Sequence, residues 1–137
     1  MHKAKNCIIT CIDFRLQKAY SDFIKSRDLL GESDIISLAG CSRDLVKPLE
    51  GWHKESLLQQ IELSVKLHNP DTIVVLDHQD CGGYAQDGTI NQGLPLEEDL
   101  VEHARWAKVA KDLLREIYPT KNVEVYFVRL DGKVEEI

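Results

Sequence analysis

No stretch of this 137-residue chain stays apolar for the roughly 20 residues that a membrane-spanning helix needs. A membrane partner is therefore not expected. Residues 1–6 contain no apolar segment of the kind a secretory signal requires, so the expected compartment is the cytoplasm. An excess of basic residues is missing too. Seventeen Lys and Arg stand against 23 Asp and Glu, a formal net charge of −6. A nucleic-acid partner would call for the opposite balance. Repeats and low-complexity tracts are absent, which removes solenoids and disordered linkers. The glycine fingerprints of phosphate loops and dinucleotide folds are also absent. A cysteine-phosphatase loop fails because Arg15 follows Cys11 too closely. The four cysteines, in a reducing compartment, read as metal ligands, catalytic groups or core filler before they read as disulfides.

What is present fits one soluble domain spanning residues 1–137, with 43% hydrophobic and 29% charged residues. Residues 7–12 are an apolar, β-branched run that reads as a buried strand. Leu16, Tyr20, Phe23 and Ile24 then recur at helical spacing. Residues 34–39 read as a second strand ended by Gly40, and residues 41–51 as loop. Leu57, Leu58, Ile61 and Val65 mark a helix that stops at Asn69-Pro70. Residues 72–77 form a third and most apolar strand. Residues 82–95 carry four glycines and read as loop. Glu97, Glu98 and Asp99 favour the start of a last helix, continued by Leu100, Ala104, Ala107, Leu114 and Ile117. A fourth strand follows at 123–129. Asp131-Gly132 is a turn signal, after which residues 134–137 either pair back or end the chain.

Strands alternating with helices predict an α/β fold: a mainly parallel central sheet, local order 2-1-3-4, with helices on both faces. Strands one and three are then neighbours, and ligands bind in the crevice at their carboxyl ends. Cys11 ends strand one, while His78 and Cys81 end strand three. Zinc takes thiolates and imidazole in a tetrahedral set, and a catalytic site leaves the fourth place open. Cys11, His78 and Cys81 match three such ligands. On spacing alone Cys11 and Cys81 read equally as ordinary buried thiols. Asp13 and Arg15, just beyond Cys11, have the chemistry of a carboxylate near the fourth position and an arginine fork that orients it.

Cys11-Ile12-Asp13-Phe14-Arg15 resembles the Cys-x-Asp-x-Arg motif of the β-class carbonic anhydrases. His78-Gln79-Asp80-Cys81-Gly82-Gly83 resembles their His-x-x-Cys-Gly motif. The helix before strand three, that strand, and residues 125–134 with Asp131-Gly132-Lys133 look like the family in order and spacing. The resemblance implies that Cys11, His78 and Cys81 hold zinc. It implies that Asp13 is a gating carboxylate able to take or release the fourth position, with Arg15 as its partner. It further implies reversible hydration of carbon dioxide to bicarbonate, and a homodimer or higher homo-oligomer. Two features depart from the family. Its helical N-terminal arm has no counterpart before strand one, and its Arg-Asn-Ala-Gly segment reads Ser37-Leu38-Ala39-Gly40 here.

Two other functions share these residues. One is hydrolysis of a sulfur analogue, carbon disulfide or carbonyl sulfide; the other is a non-catalytic zinc protein of the same fold. Outside the motifs, Cys7 reads as core, and Cys41 as structural or as a fourth ligand or redox thiol. His2, His53, His68 and His103 default to the surface, and Trp52 and Trp106 to packing. Tyr84, just after the glycine pair, is a candidate pocket wall.

Overall fold

The computed structural model describes residues 2–137. β1 (Asn6–Thr10) leads through a 3-10 turn (Phe14–Leu16) into α1 (Gln17–Ser26). β2 (Ser33–Ser37) is followed by a short α2 (Arg43–Val46) and by α3 (Gly51–His68). β3 (Thr72–His78) precedes a single turn, α4 (Gly82–Ala85), and α5 (Leu96–Ile117). β4 (Asn122–Val128) and β5 (Val134–Glu136) complete the chain.

The sheet order is β2-β1-β3-β4-β5, so the expected 2-1-3-4 arrangement is present. The first four strands are parallel, and β5 returns antiparallel along β4. Side chains alternate between two cores, as the period of two along a strand requires. Ile9, Ile73, Val75, Val123 and Val125 pack with Leu57 and Ile61 of α3 and with Ala107 and Leu114 of α5. Ile8, Val74, Leu76 and Val128 point the other way, onto Leu16 and onto Tyr20 and Phe23 of α1. Every residue of β3 is buried, as a central strand covered on both faces must be.

Several expectations need correction. β1 ends at Thr10, not at residue 12: the Leu38 N–H to Thr10 carbonyl bond is the last along β2, and the chain then turns where Asp13 caps the 3-10 turn. Ile12 is consequently exposed. β2 stops at Ser37, and the expected loop at 41–51 contains α2. The buried stripe of α5 is Asp99, His103, Ala107, Ala110 and Leu114, one residue out of phase with its expected start. Ile117 is exposed, and His103 sits in the interior rather than on the surface.

Candidate metal centre and active site

Register brings the two motifs together. Thr10 faces Leu76 across the parallel ladder, so Cys11 stands level with Asp77, next to the last residue of β3, His78. Cys81 arrives one turn later, at the N-cap of α4. One ligand atom from each of Cys11, His78 and Cys81 lies within 4.8 Å of the others, and all three residues are buried.

The turn fits because two loops touch through their backbones. A Cβ on Gly83 would sit 2.3 Å from the nitrogen of Gly40 and 2.4 Å from its Cα, so only glycine fits there. Gly40 itself has φ +85°, the left-handed region that favours glycine. Arg43, almost wholly buried, donates to the Gly83 carbonyl at 2.7 Å and pairs with Asp87 at 3.0 Å. The loops after β2 and β3 are thereby locked together behind the cysteines.

His78 is oriented through one nitrogen. Its Nδ1 lies 2.7 Å from the Gln79 carbonyl oxygen, while Nε2 is buried without a hydrogen-bond partner. Burial opposes a charge on the ring, yet the Cys11 sulfur beside it holds its pKa above the ordinary value. Cys11 is drawn down to about 4, first by a hydrogen bond from the Cys81 thiol, and also by His78 and the Gly40 N–H. Cys81 is pushed the other way by Cys11 and by burial.

Asp13 and Arg15 form a fork beside the cluster. Arg15 Nη2 donates to Asp13 Oδ2 at 2.7 Å, and Nε reaches Oδ1 at 3.1 Å. The other side of the guanidinium donates to Asp80, Nη1 to Oδ2 and Nη2 to the carbonyl, each at 3.0 Å. Arg15 holds Asp13 below the usual carboxylate range. Asp13 Oδ2 lies 4.0 Å from His78 Nε2.

A buried polar network lies alongside. Ser42 Oγ donates to the Asp77 carboxylate at 2.8 Å and lies 2.6 Å from the Tyr84 hydroxyl. Burial pushes both Asp77 and Tyr84 up. Tyr84 is fully buried and does not line the cleft beside Cys11. Cys41 is also outside the group. Its Sγ donates to the Ile9 carbonyl, and burial raises its pKa. Cys7 is core, pushed up to about 11 by burial. Sequence reasoning missed Ser42, Arg43, Asp77, Asp80, Asp99 and His103. The signal for the last two was their phase, since 99, 103 and 107 share one helical face.

On the solvent side, Cys11 and Asp13 border a cleft of about 400 Å³ whose walls include apolar Ile12, Phe14, Ile24, Leu30 and Ile35 and polar Thr10, Gln17, Ser21 and Ser37; His78 and Cys81 do not line it. Among the described residues no helix is long and apolar enough to cross a membrane.

A doubly wound sheet with a buried Cys-His-Cys group at the switch between β1 and β3 defines a class: an α/β protein with a possible metal centre at its strand ends. A sequence model of the family described as "Putative carbonic anhydrase" matches residues 1–137, and the chain belongs to that family. An uncharacterized protein of Rickettsia conorii is 31% identical over the whole chain, which spans 74% of that relative. The fold is similar to a carbonic anhydrase from Glaciozyma antarctica, with TM-score 0.65 and 19% identity, covering 99% of this chain and 83% of that one. It is also similar to a structure from a study of two tetrameric beta-carbonic anhydrases of Sordaria macrospora. There the TM-score is 0.58 at 19% identity, over 100% and 82% of the two chains.

Proposed function

We propose that this protein is a zinc enzyme for the reversible hydration of carbon dioxide to bicarbonate. Cys11, His78 and Cys81 are the metal ligands, and Asp13 and Arg15 act on the reacting water. The observation that carries this reading is His78 Nε2, a buried nitrogen without a partner, grouped with two thiols while Nδ1 is tied to Gln79. A lone polar atom in the interior is costly unless something completes it. Two sulfurs and an imidazole are the donor set zinc prefers. When bound, zinc supplies the Lewis acidity that makes water a nucleophile near neutral pH.

The chain's own groups do the rest. The Gln79 carbonyl accepts the Nδ1 proton, so the ring presents Nε2 as a lone pair. Arg15 grips both oxygens of Asp13, keeping the carboxylate ionised and oriented. The remaining lone pairs of Asp13 accept a hydrogen bond from the attacking water and aim its oxygen at carbon dioxide. Asp80 braces Arg15 from the other side, which opposes any swing of Asp13 into the fourth position. The apolar part of the cleft wall suits a small nonpolar substrate.

The full chain works as one domain. It self-associates through the cleft side, where Phe14 is 84% and Ile12 65% exposed, surfaces that water disfavours. The tetrameric neighbours support the same reading. Four free, buried cysteines support a reducing compartment, the cytoplasm. The decisive experiment measures zinc content and stopped-flow carbon dioxide hydration on one purified sample. About one zinc per chain with hydration well above the buffer rate is expected. A full zinc complement with no hydration at any pH replaces the enzyme by a non-catalytic zinc protein.

A further inference from the structure

Asp80 lies between two proposed ligands, His78 and Cys81, and has φ +59°, a left-handed conformation unusual for a residue with a side chain. Its polar atoms are all engaged. Arg15 takes Oδ2 and the carbonyl, the Gly93 N–H takes Oδ1, and Gln92 also reaches the carbonyl. The remaining group, the Asp80 N–H, donates to Asp99 Oδ2 at 2.7 Å. Asp99 is 2% exposed and His103, one turn further along α5, is 1% exposed. His103 Nε2 lies 3.4 Å from Asp99 Oδ1, in contact but without a hydrogen bond. The imidazole is wedged between the rings of Tyr84, at 5.0 Å, and Phe127, at 5.3 Å. A carboxylate and an imidazole facing a helix's own core are expensive to bury, and an apolar pair there would pack with less cost. What the carboxylate supplies is one short bond to the strained residue of the ligand turn.

We propose that Asp99, set in place by His103, is a positioning residue that locks the His78–Cys81 turn in its metal-holding shape. The proposal rests on the metal reading above and assigns the turn's rigidity to α5. The His103 ring, packed between Tyr84 and Phe127 and 3.4 Å from Asp99 Oδ1, limits where that carboxylate can sit; Asp99 fixes the Asp80 peptide; and that peptide sets the spacing of the two donors. Groups beyond the ligands commonly change metal affinity by about 10- to 100-fold.

The test follows zinc release from the loaded protein into excess EDTA. Asp99→Ala should release zinc about 10- to 100-fold faster than the parent. Asp99→Asn keeps an oxygen to accept the Asp80 N–H and should stay within a few-fold of the parent. His103→Phe should fall between them. Leu114→Ala is the control for general loosening. It removes a fully buried side chain of the same helix, about 22 Å from Asp99, and should leave the release rate unchanged. The cobalt(II) form gives a second readout: Asp99→Ala should shift its visible bands, and Leu114→Ala should not. Amide exchange in the parent covers the case in which Asp99→Ala does not fold, because the Asp80 N–H should be strongly protected. Release from Asp99→Ala no faster than from Leu114→Ala, or an Asp80 amide that exchanges like a free one, overturns the proposal. A parent that takes up neither zinc nor cobalt overturns the metal reading instead, before any variant is compared.

Discussion

The two ends of the sheet are both rich in polar residues, but they use them differently. At the amino end, Lys3 pairs with Asp71 in exposed positions, and Asp34 accepts from buried Ser64 and from half-buried His68. Such pairs are worth little individually. At the carboxyl end Asp77, His78, Asp99 and His103 are almost fully buried. Of the described buried polar atoms that lack a hydrogen-bond partner, His78 Nε2, Asp99 Oδ1 and both His103 nitrogens are here, against Ser33 Oγ alone at the amino end. Polar groups at the amino end tie the starts of the strands to their neighbours. Those at the carboxyl end are retained at a cost in folding energy, which points to chemistry.

The strongest way to break this contrast is at the loop crossing. Gly83→Ala would push a Cβ into the Gly40 backbone, which has no flexible side chain to move aside. A loss of about 3 kcal/mol is expected, seen as a fall in Tm of roughly 10 °C. Gly51→Ala, where a Cβ meets nothing within 4 Å, should leave the melting curve almost unmoved.

Next in size is the metal. Cys11→Ser should purify folded but with zinc near zero, because a hydroxyl is a far poorer zinc ligand than a thiolate. Cys7→Ser lies in β1 four residues earlier. It should keep full zinc and lose only stability, by about 1 to 3 kcal/mol for a hydroxyl placed in the core. Equal zinc in the two variants would erase the distinction between the carboxyl and amino ends of β1.

Arg15→Ala and Asp13→Asn should keep zinc and lose hydration rate, by about 10² to 10⁴-fold for a group that orients or accepts a proton. Stopped-flow assays on samples of known metal content separate this from ligand loss.

The smallest effect belongs to the amino end. Burial opposes ionisation of Asp34, but Ser64 and His68 prevail and hold its pKa below the ordinary value. Its contribution is therefore present above the usual carboxylate range and is lost as pH falls through the lowered value. Asp34→Asn should flatten the acid limb of stability by about 0.5 kcal/mol, given solvent screening, and leave hydration untouched. Denaturant titrations between acid and neutral pH measure the first, and the hydration assay the second.

How much of this was legible beforehand follows from the same contrast. The parallel strands were readable because both faces are covered, which leaves continuous apolar runs such as Ile73 to Leu76. The 2-1-3 order followed from reading alternating strands and helices as a doubly wound sheet, and with it the meeting of Cys11 with His78. The runs misled only at their ends. Ile12 is apolar but lies past the last ladder bond, where turning the chain toward Asp13 takes precedence over burial. α2 was hidden because a four-residue helix has too few positions to show a period. Arg43 was unreadable for a different reason, and His103 could be read only from its helical phase with Asp99 and Ala107. Residue type predicts exposure for both, and only the local need for a donor to Gly83 or a wedge against Asp99 places them inside.

The order of β1 and β3 in the sheet also has a consequence in time. Cys11 and His78 are 67 residues apart in the chain, and they meet only after β3 has zipped along β1. Contacts this distant form late, because loop closure must come first. A newly made chain therefore has no pocket for an ion until at least its first 81 residues have emerged and docked. Metal capture would then follow the docking of β3 on β1, in contrast to small zinc modules that fold only around their ion.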